Sequence, residues 1–163
     1  MSKPTTKYSA LPYRQGVGIM LINKQREVFV GRRIDTKIDA WQMPQGGIDD
    51  NESPSQAVMR ELLEEVGSNH AEIIAESKRW FQYNLPDYLI PKLWNGKYRG
   101  QKQKWFILKY LGHDDDFKLD NAQQEFTQWR WAKIEELATI IVPFKRKLYE
   151  VVIEEFADVL KKL

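Results

Sequence analysis

Residues Gly46–Gly67 read GGIDDNESPSQAVMRELLEEVG, and the chain is best understood outward from them. Ser53 suits an N-cap, and Pro54 suits the first helical position, where a missing N–H costs nothing. Gln56, three residues after Ser53, completes a capping-box pattern. Gly67 suits the residue just past a helix end, where a left-handed backbone closes the last turn. These signals predict a helix over Pro54–Val66. Gly46 and Gly47, before it, permit positive φ or a close backbone approach.

Successive helical residues turn by ~100°. With Glu61 at the origin, Glu65 falls at about 40° and Glu64 at about 300°, so three carboxylates share one face. Val58, Met59, Leu62, Leu63 and Val66 fall on the adjoining arc and form the expected buried side. Three packed carboxylates repel one another unless something positive stands among them. A hard divalent cation such as Mg²⁺, which takes oxygen ligands, is the natural partner.

Gly46, Glu52, Arg60, Glu61, Leu62, Glu64, Glu65 and Gly67 match the spacing G-x5-E-x7-R-E-U-x-E-E-x-G, with U a bulky aliphatic residue. That arrangement resembles the signature of the Nudix hydrolases, enzymes that hydrolyse nucleoside diphosphates linked to another group. The aliphatic place that closes the signature is Ser68 here, at the helix exit and away from the carboxylates.

The 163 residues make a one-domain length, and 42% of them are hydrophobic, including six Trp, seven Tyr and seven Phe, enough for a sizeable core. The chain has no Cys, which rules out a disulfide framework and a thiolate zinc site. Residues 1–12 are expected to be a flexible segment and 13–163 a single domain. No apolar run resembles a signal peptide or a spanning helix. A soluble, cytoplasmic protein is expected, with neither membrane nor DNA as partner. Protein partners are not legible.

The net charge of +2 conceals a division. Residues 1–33 hold seven Lys or Arg and one acid, residues 90–110 hold six and none, and residues 49–65 hold six acids and one Arg. Acids that hold cations and bases that take the remaining phosphate charge suit a polyphosphate substrate.

Gly16–Asn23 and Glu27–Arg33 read as a hairpin. Ile34–Ala40 is a polar loop. Ala71–Trp80, continuing toward Tyr83, reads as a strand, Leu85–Gly100 as a long irregular connection, and Gln101–Leu111 and Phe126–Trp131 as strands. A short helix is expected around Lys133–Leu137. From Phe144 to Lys162, Leu148, Val151, Val152, Phe156, Val159 and Leu160 recur at helical spacing. Strands alternating with two long helices imply α/β/α layering about a mixed sheet, and the Nudix resemblance implies the same sandwich.

Outside the signature, Tyr13-Arg14, Arg32-Arg33, the run Trp41–Gly47, Gly100–Phe106, Glu125-Phe126 with Trp129–Trp131, and Pro143–Arg146 are similar to the bacterial RNA pyrophosphohydrolase branch, also described as dinucleoside polyphosphate hydrolases. The loop Ile34–Ala40 looks like the diadenosine tetraphosphate hydrolases of that branch. The resemblance implies water attacking a phosphoanhydride with the help of Mg²⁺ or Mn²⁺. The leading expectation is removal of pyrophosphate from the 5′-triphosphate end of RNA, leaving a 5′-monophosphate and promoting mRNA decay. The alternative is asymmetric hydrolysis of dinucleoside polyphosphates. A nucleotide-sensing module without hydrolysis would be expected to have lost some of Glu52, Glu61, Glu64 and Glu65, and a purely basic RNA-binding protein does not fit an acidic centre.

On this reading Glu61 and Glu65, with Glu64, bind the cation, and the Gly46 carbonyl offers a further donor. Arg60 orients the carboxylates, and Glu52 orients the loop before the helix. Glu125 is the candidate base or additional metal ligand. Phe144 with Val142 and, opposite, Arg33 stack on a base, unless Phe144 simply begins the last helix in the core. Arg14, Lys145 and Tyr83 are further phosphate or nucleotide contacts. Along 101–106, Gln101, Gln103 and Trp105 alternate with Lys102, Lys104 and Phe106. One row faces the phosphate chain, and alternation leaves open which, so Gln101, Lys102 and Lys104 all stand as candidates. His70 and His113 receive no role.

Overall fold

A computed structural model of the chain describes residues 8–35, 37–120 and 124–163. The strands are β1 (Tyr13–Ile22), β2 (Glu27–Arg33), β3 (Trp41–Gln42), β4 (Gln45–Gly47), β5 (Ala71–Glu76), β6 (Phe81–Asn84), β7 (Gly100–Tyr110) and β8 (Phe126–Lys133). The helices are α1 (Pro54–Val66), α2 (Leu137–Ile140), α3 (Arg146–Glu155) and α4 (Ala157–Lys161). All eight strands join one sheet with the path β3-β2-β1-β7-β5; β4 pairs with β1, β6 with β7 and β8 with β2. Strands β1 and β7 run parallel over ten residue pairs, and the other pairings are antiparallel, so the sheet is mixed as expected.

Alternation along β1 and β7 sends side chains to two cores. Val17, Ile19, Leu21, Phe106 and Leu108 meet Ala57, Val58, Leu62 and Val66 of α1 on one face. Met20, Ile22, Trp105 and Ile107 meet Leu148, Val152, Phe156 and Leu160 of α3 and α4 on the other. This is the α/β/α sandwich. α1 spans the residues its caps predict: the Gln56 N–H donates to Ser53 Oγ, the Ser53 N–H to Gln56 Oε1, and Gly67 is left-handed at φ 81°. One side chain departs from the wheel. Leu63 is 47% exposed, whereas Glu65 is buried with 7% exposed, because the docking of α1 beside β4 sets which flank of the helix is covered.

The strand expected over 71–83 breaks into β5 and β6. At the break Ser77 Oγ accepts the Trp105 N–H and donates to the Arg79 carbonyl, so a side chain replaces a ladder partner and turns the chain. The connection 85–100 carries two 3₁₀ turns, Asp87–Lys92 and Trp94–Gly96. The short helix begins where expected, as a 3₁₀ turn at Ile134–Glu136, and runs on three residues further than expected through α2. The C-terminal helix is interrupted at Phe156, although i to i+4 bonds cross the break on both sides. Of the N-terminal segment, residues 1–7 lie outside the described residues. Residues 8–12 form a turn held by the Leu11 N–H to Tyr8 carbonyl bond and by Arg99 donating to the Ser9 carbonyl.

Candidate active site

α1 and β4 together place the carboxylates. Glu61 lies flat against Gly46: a methyl there would stand 1.9 Å from the Glu61 carboxyl carbon, so only glycine permits this approach. Glu65 Oε2 accepts the Gln45 N–H at 3.1 Å. Among the described residues no basic side chain forms an ion pair with Glu65. Burial first, then the charges of Glu61 and Glu125, raise the Glu65 carboxyl well above its ordinary value. Burial also raises Glu61, against the pull of Arg60.

Arg60 ties this corner together. Its Nε and Nη2 donate to the two oxygens of Glu52 at 2.8 Å each, Nη1 to Glu61 at 2.8 Å and Glu64 at 3.1 Å, and Nη2 also to the Gly47 carbonyl at 2.8 Å. Glu52 accepts the Asp49 N–H as well, closing the loop before α1. The guanidinium holds the Glu52 carboxyl down at about 2. Arg60 and Glu52 thus brace the carboxylates from outside the cleft.

The cleft in front of Glu61, Glu64 and Glu65 has a volume of about 890 Å³. Arg14, Arg33, Tyr83, Glu125, Val142, Phe144 and Lys145 line it with Gly46, so sequence-distant candidates meet in one cleft. Phe144 is half-buried and tilted on Tyr83, with ring centroids 6.2 Å apart, and the Lys145 ammonium sits 5.2 Å from the Tyr83 ring. Arg33 is flat against Asp35, donating from Nε at 2.7 Å and Nη2 at 2.6 Å, while Nη2 lies 3.5 Å from Glu125. The paired bonds raise the Arg33 guanidinium and lower the Asp35 carboxyl.

Strand β7 turns its glutamine row this way. Gln101 Nε2 donates to the Tyr83 hydroxyl and Gln103 Nε2 to Gln45 Oε1, both behind the cleft wall. Lys102 and Lys104 point to the opposite sheet face and line no part of the cleft: Lys102 is in register with Gln15 and Gln82, and Lys104 with Val17, whereas Gln101 is in register with Arg14 and Tyr83. His70 and His113 also lie outside it. The cleft adds residues that were not singled out from the sequence. Asp35 follows Arg33 by two, a spacing that could have suggested the pair. Trp94, whose ring lies 5.1 Å from the Arg14 guanidinium carbon, and Tyr88, 65% exposed, come from the 3₁₀ turns. Gln42, Gln45, Lys37 and Lys92 complete the rim.

The donors fit a hard divalent cation. They are all oxygen, and Glu65 is a buried carboxylate without a counter-charge in contact. Among the described residues no three acidic or imidazole groups already close on one point. A cation would therefore draw on Glu61 and Glu65 together with backbone or water oxygens.

The NUDIX domain family matches residues 12–152. The chain is 55% identical over 161 residues to the RNA pyrophosphohydrolases of Rickettsia rickettsii (strain Sheila Smith) and Rickettsia prowazekii (strain Madrid E), covering 99% of this chain and 100% of each relative. Its fold is similar to that of the E. coli dihydroneopterin triphosphate pyrophosphohydrolase, with a TM-score of 0.65 and 20% identity over 85% of this chain and 95% of that one. It is equally similar to a C. elegans Ap4A hydrolase binary complex, with a TM-score of 0.65 and 20% identity over 92% and 99% of the two chains.

Proposed function

The chain belongs to the Nudix family, and from that premise we propose that it is a metal-dependent RNA pyrophosphohydrolase. In this reading it cleaves a 5′-triphosphate end with water to release pyrophosphate and leave a 5′-monophosphate. Full-length identity of 55% to RNA pyrophosphohydrolases carries the choice of substrate. The chemistry rests on acidic, basic and aromatic side chains gathered in one cleft.

Glu61 and Glu65 would hold Mg²⁺ or Mn²⁺, with Glu64, Glu125 and the Gly46 carbonyl as further donors. When bound, the cation neutralises phosphate charge and lowers the pKa of water. Arg14 and Lys145 take the phosphate charge the cation leaves. Glu125, at the cleft surface beside Arg33, accepts the proton of the attacking water. Phe144 and Val142 stack on one face of a base, and Arg33, held planar by Asp35, covers the other. Glu52 and Arg60 keep the carboxylates in place. RNA as substrate places the work in the cytoplasm, where 5′-monophosphate ends promote mRNA decay; among the described residues no helix is long and apolar enough to cross a membrane. Trp94 and Tyr88, which also line the cleft, favour one second reading, since a dinucleoside polyphosphate has another base to stack there.

The deciding experiment compares kcat/KM for triphosphate-ended RNA and diadenosine tetraphosphate under identical Mg²⁺. RNA is expected to be preferred, with pyrophosphate and 5′-monophosphate RNA as products. Faster turnover of diadenosine tetraphosphate would put the dinucleotide first.

Phe144→Ala should weaken nucleotide binding by about 1–3 kcal/mol, read as a rise in KM with little change in melting temperature. A lower melting temperature with unchanged KM would assign the ring to the core.

A further inference from the structure

The cleft leaves unexplained the basic and aromatic residues on the other sheet face. Trp80, half-buried, stands at the corner between β5 and β6. The ammonium groups of Lys102 and Lys104 each lie 5.9 Å from its ring centroid. Lys104 holds the corner itself. Its Nζ donates to the Ser77 carbonyl at 2.8 Å and the Lys78 carbonyl at 3.3 Å, and lies 3.6 Å from Glu76. Lys102 and Lys78 are exposed, and among the described residues neither ammonium forms an ion pair, although the Lys78 backbone N–H donates to Glu155 at 3.0 Å. Arg79, the residue before Trp80, turns away from it, lying 4.5 Å over the Phe81 ring and pairing with Glu155 at 3.3 Å. Two lysines at the ring and an exposed Lys78 two residues before it make a positive, aromatic surface around a partly open indole.

Its position relative to the cleft follows from register. Tyr83 pairs with Gln101 on the cleft side, and the next pair, Gln82 with Lys102, points the other way. The patch therefore lies on the other side of the β6–β7 pairing from the cleft wall, at the edge of the sheet that β6 forms. A flat aromatic ring with Lys102, which has no ion-pair partner among the described residues, beside it complements single-stranded nucleic acid, whose bases stack while its phosphates need cations.

We propose that Trp80, Lys102 and Lys78 form a second RNA contact outside the cleft, which takes a nucleotide of the substrate downstream of its 5′ end. A base stacks on Trp80, and Lys102 moves from the ring to the adjoining phosphate. This rests on RNA being the substrate and adds that the enzyme grips more of it than the triphosphate end.

The test uses the full chain with 5′-triphosphorylated oligouridylates of two and about ten nucleotides, together with anisotropy of a labelled ten-nucleotide RNA bearing a 5′-hydroxyl. In the wild-type protein kcat/KM should rise with length. Trp80→Ala should abolish that gain, a loss of about 5- to 150-fold on the long substrate, and leave the dinucleotide rate unchanged. Lys102→Glu, at an exposed site that the fold does not need, should also remove it and flatten the salt slope by roughly 0.7 or more. Equal losses on both lengths, or no gain with length in the wild type together with no Lys102-dependent binding of the 5′-hydroxyl RNA, would overturn the proposal. Binding of polyglutamate as tight as that of RNA would overturn it in favour of an acidic protein partner. Should the wild type bind the 5′-hydroxyl RNA through Lys102 yet hydrolyse no triphosphate end, the patch stands and the substrate reading falls.

Discussion

Glu65→Gln should lower kcat by about 10²–10⁴-fold at saturating Mg²⁺ while the protein stays folded, because help from a bound cation is worth several kcal/mol. The amide oxygen of Gln can still accept the Gln45 N–H, so the junction of α1 with β4 survives. The same substitution should alter stability in the opposite direction. Burial raises the Glu65 carboxyl above the ordinary 4.5. Such a group stabilises the metal-free fold fully below its unfolded value, and that contribution is lost as pH rises through the folded value. In EDTA the wild-type melting temperature should therefore fall as pH climbs from about 4.5, more steeply than that of Glu65→Gln. A divalent cation that binds only the folded state should restore it, and should do so more in the wild type than in the variant. Near-normal turnover by Glu65→Gln, or the same Mg²⁺-induced rise in melting temperature in both proteins, would remove Glu65 from the metal site.

That contrast shows where the sequence is legible. The helix Pro54–Val66 and its caps rest on contacts three or four residues apart, and those travel with the chain. The helical wheel also groups Glu61, Glu64 and Glu65. It cannot show that Glu65 rather than Leu63 turns inward, because that depends on β4 arriving beside the helix. The alternation along 101–106 yields two rows and no facing; Tyr83 and Arg14, brought by neighbouring strands, make the glutamine row the cleft side. Arg33 and Phe144 can be named from the sequence, but Asp35 gripping Arg33 and Trp94 lying on Arg14 are products of loop conformations. Ser77 breaking the strand at 77–80 is a side-chain bond to a distant N–H, which no periodicity carries.

Arg60→Ala should cost about 2–4 kcal/mol of stability, less than a fully buried pair because the Arg60 side chain is 28% exposed. For a domain of this length that is a fall of roughly 5–15 °C in melting temperature. The guanidinium donates to Glu52, Glu61, Glu64 and the Gly47 carbonyl, and its removal leaves the carboxylates facing one another without the counter-charge that bonds them. Turnover of the folded fraction should drop by about 10²-fold, since displacing Glu61 by even an ångström shifts the reacting groups. Arg60→Lys keeps the charge but one ammonium cannot span Glu52 and Glu61 in a planar fork, so it should recover more stability than activity. The acid limb gives an independent reading. Glu52, held at about 2 by Arg60, contributes stability that is present above its unfolded value of 4.5 and lost as pH falls through 2. Without Arg60 that loss should disappear, and the melting temperature of Arg60→Ala should depend less on pH between 4.5 and 2 than the wild type does. Full kcat in the folded fraction of Arg60→Ala would reduce Arg60 to a loop brace with no part in holding the carboxylates for catalysis.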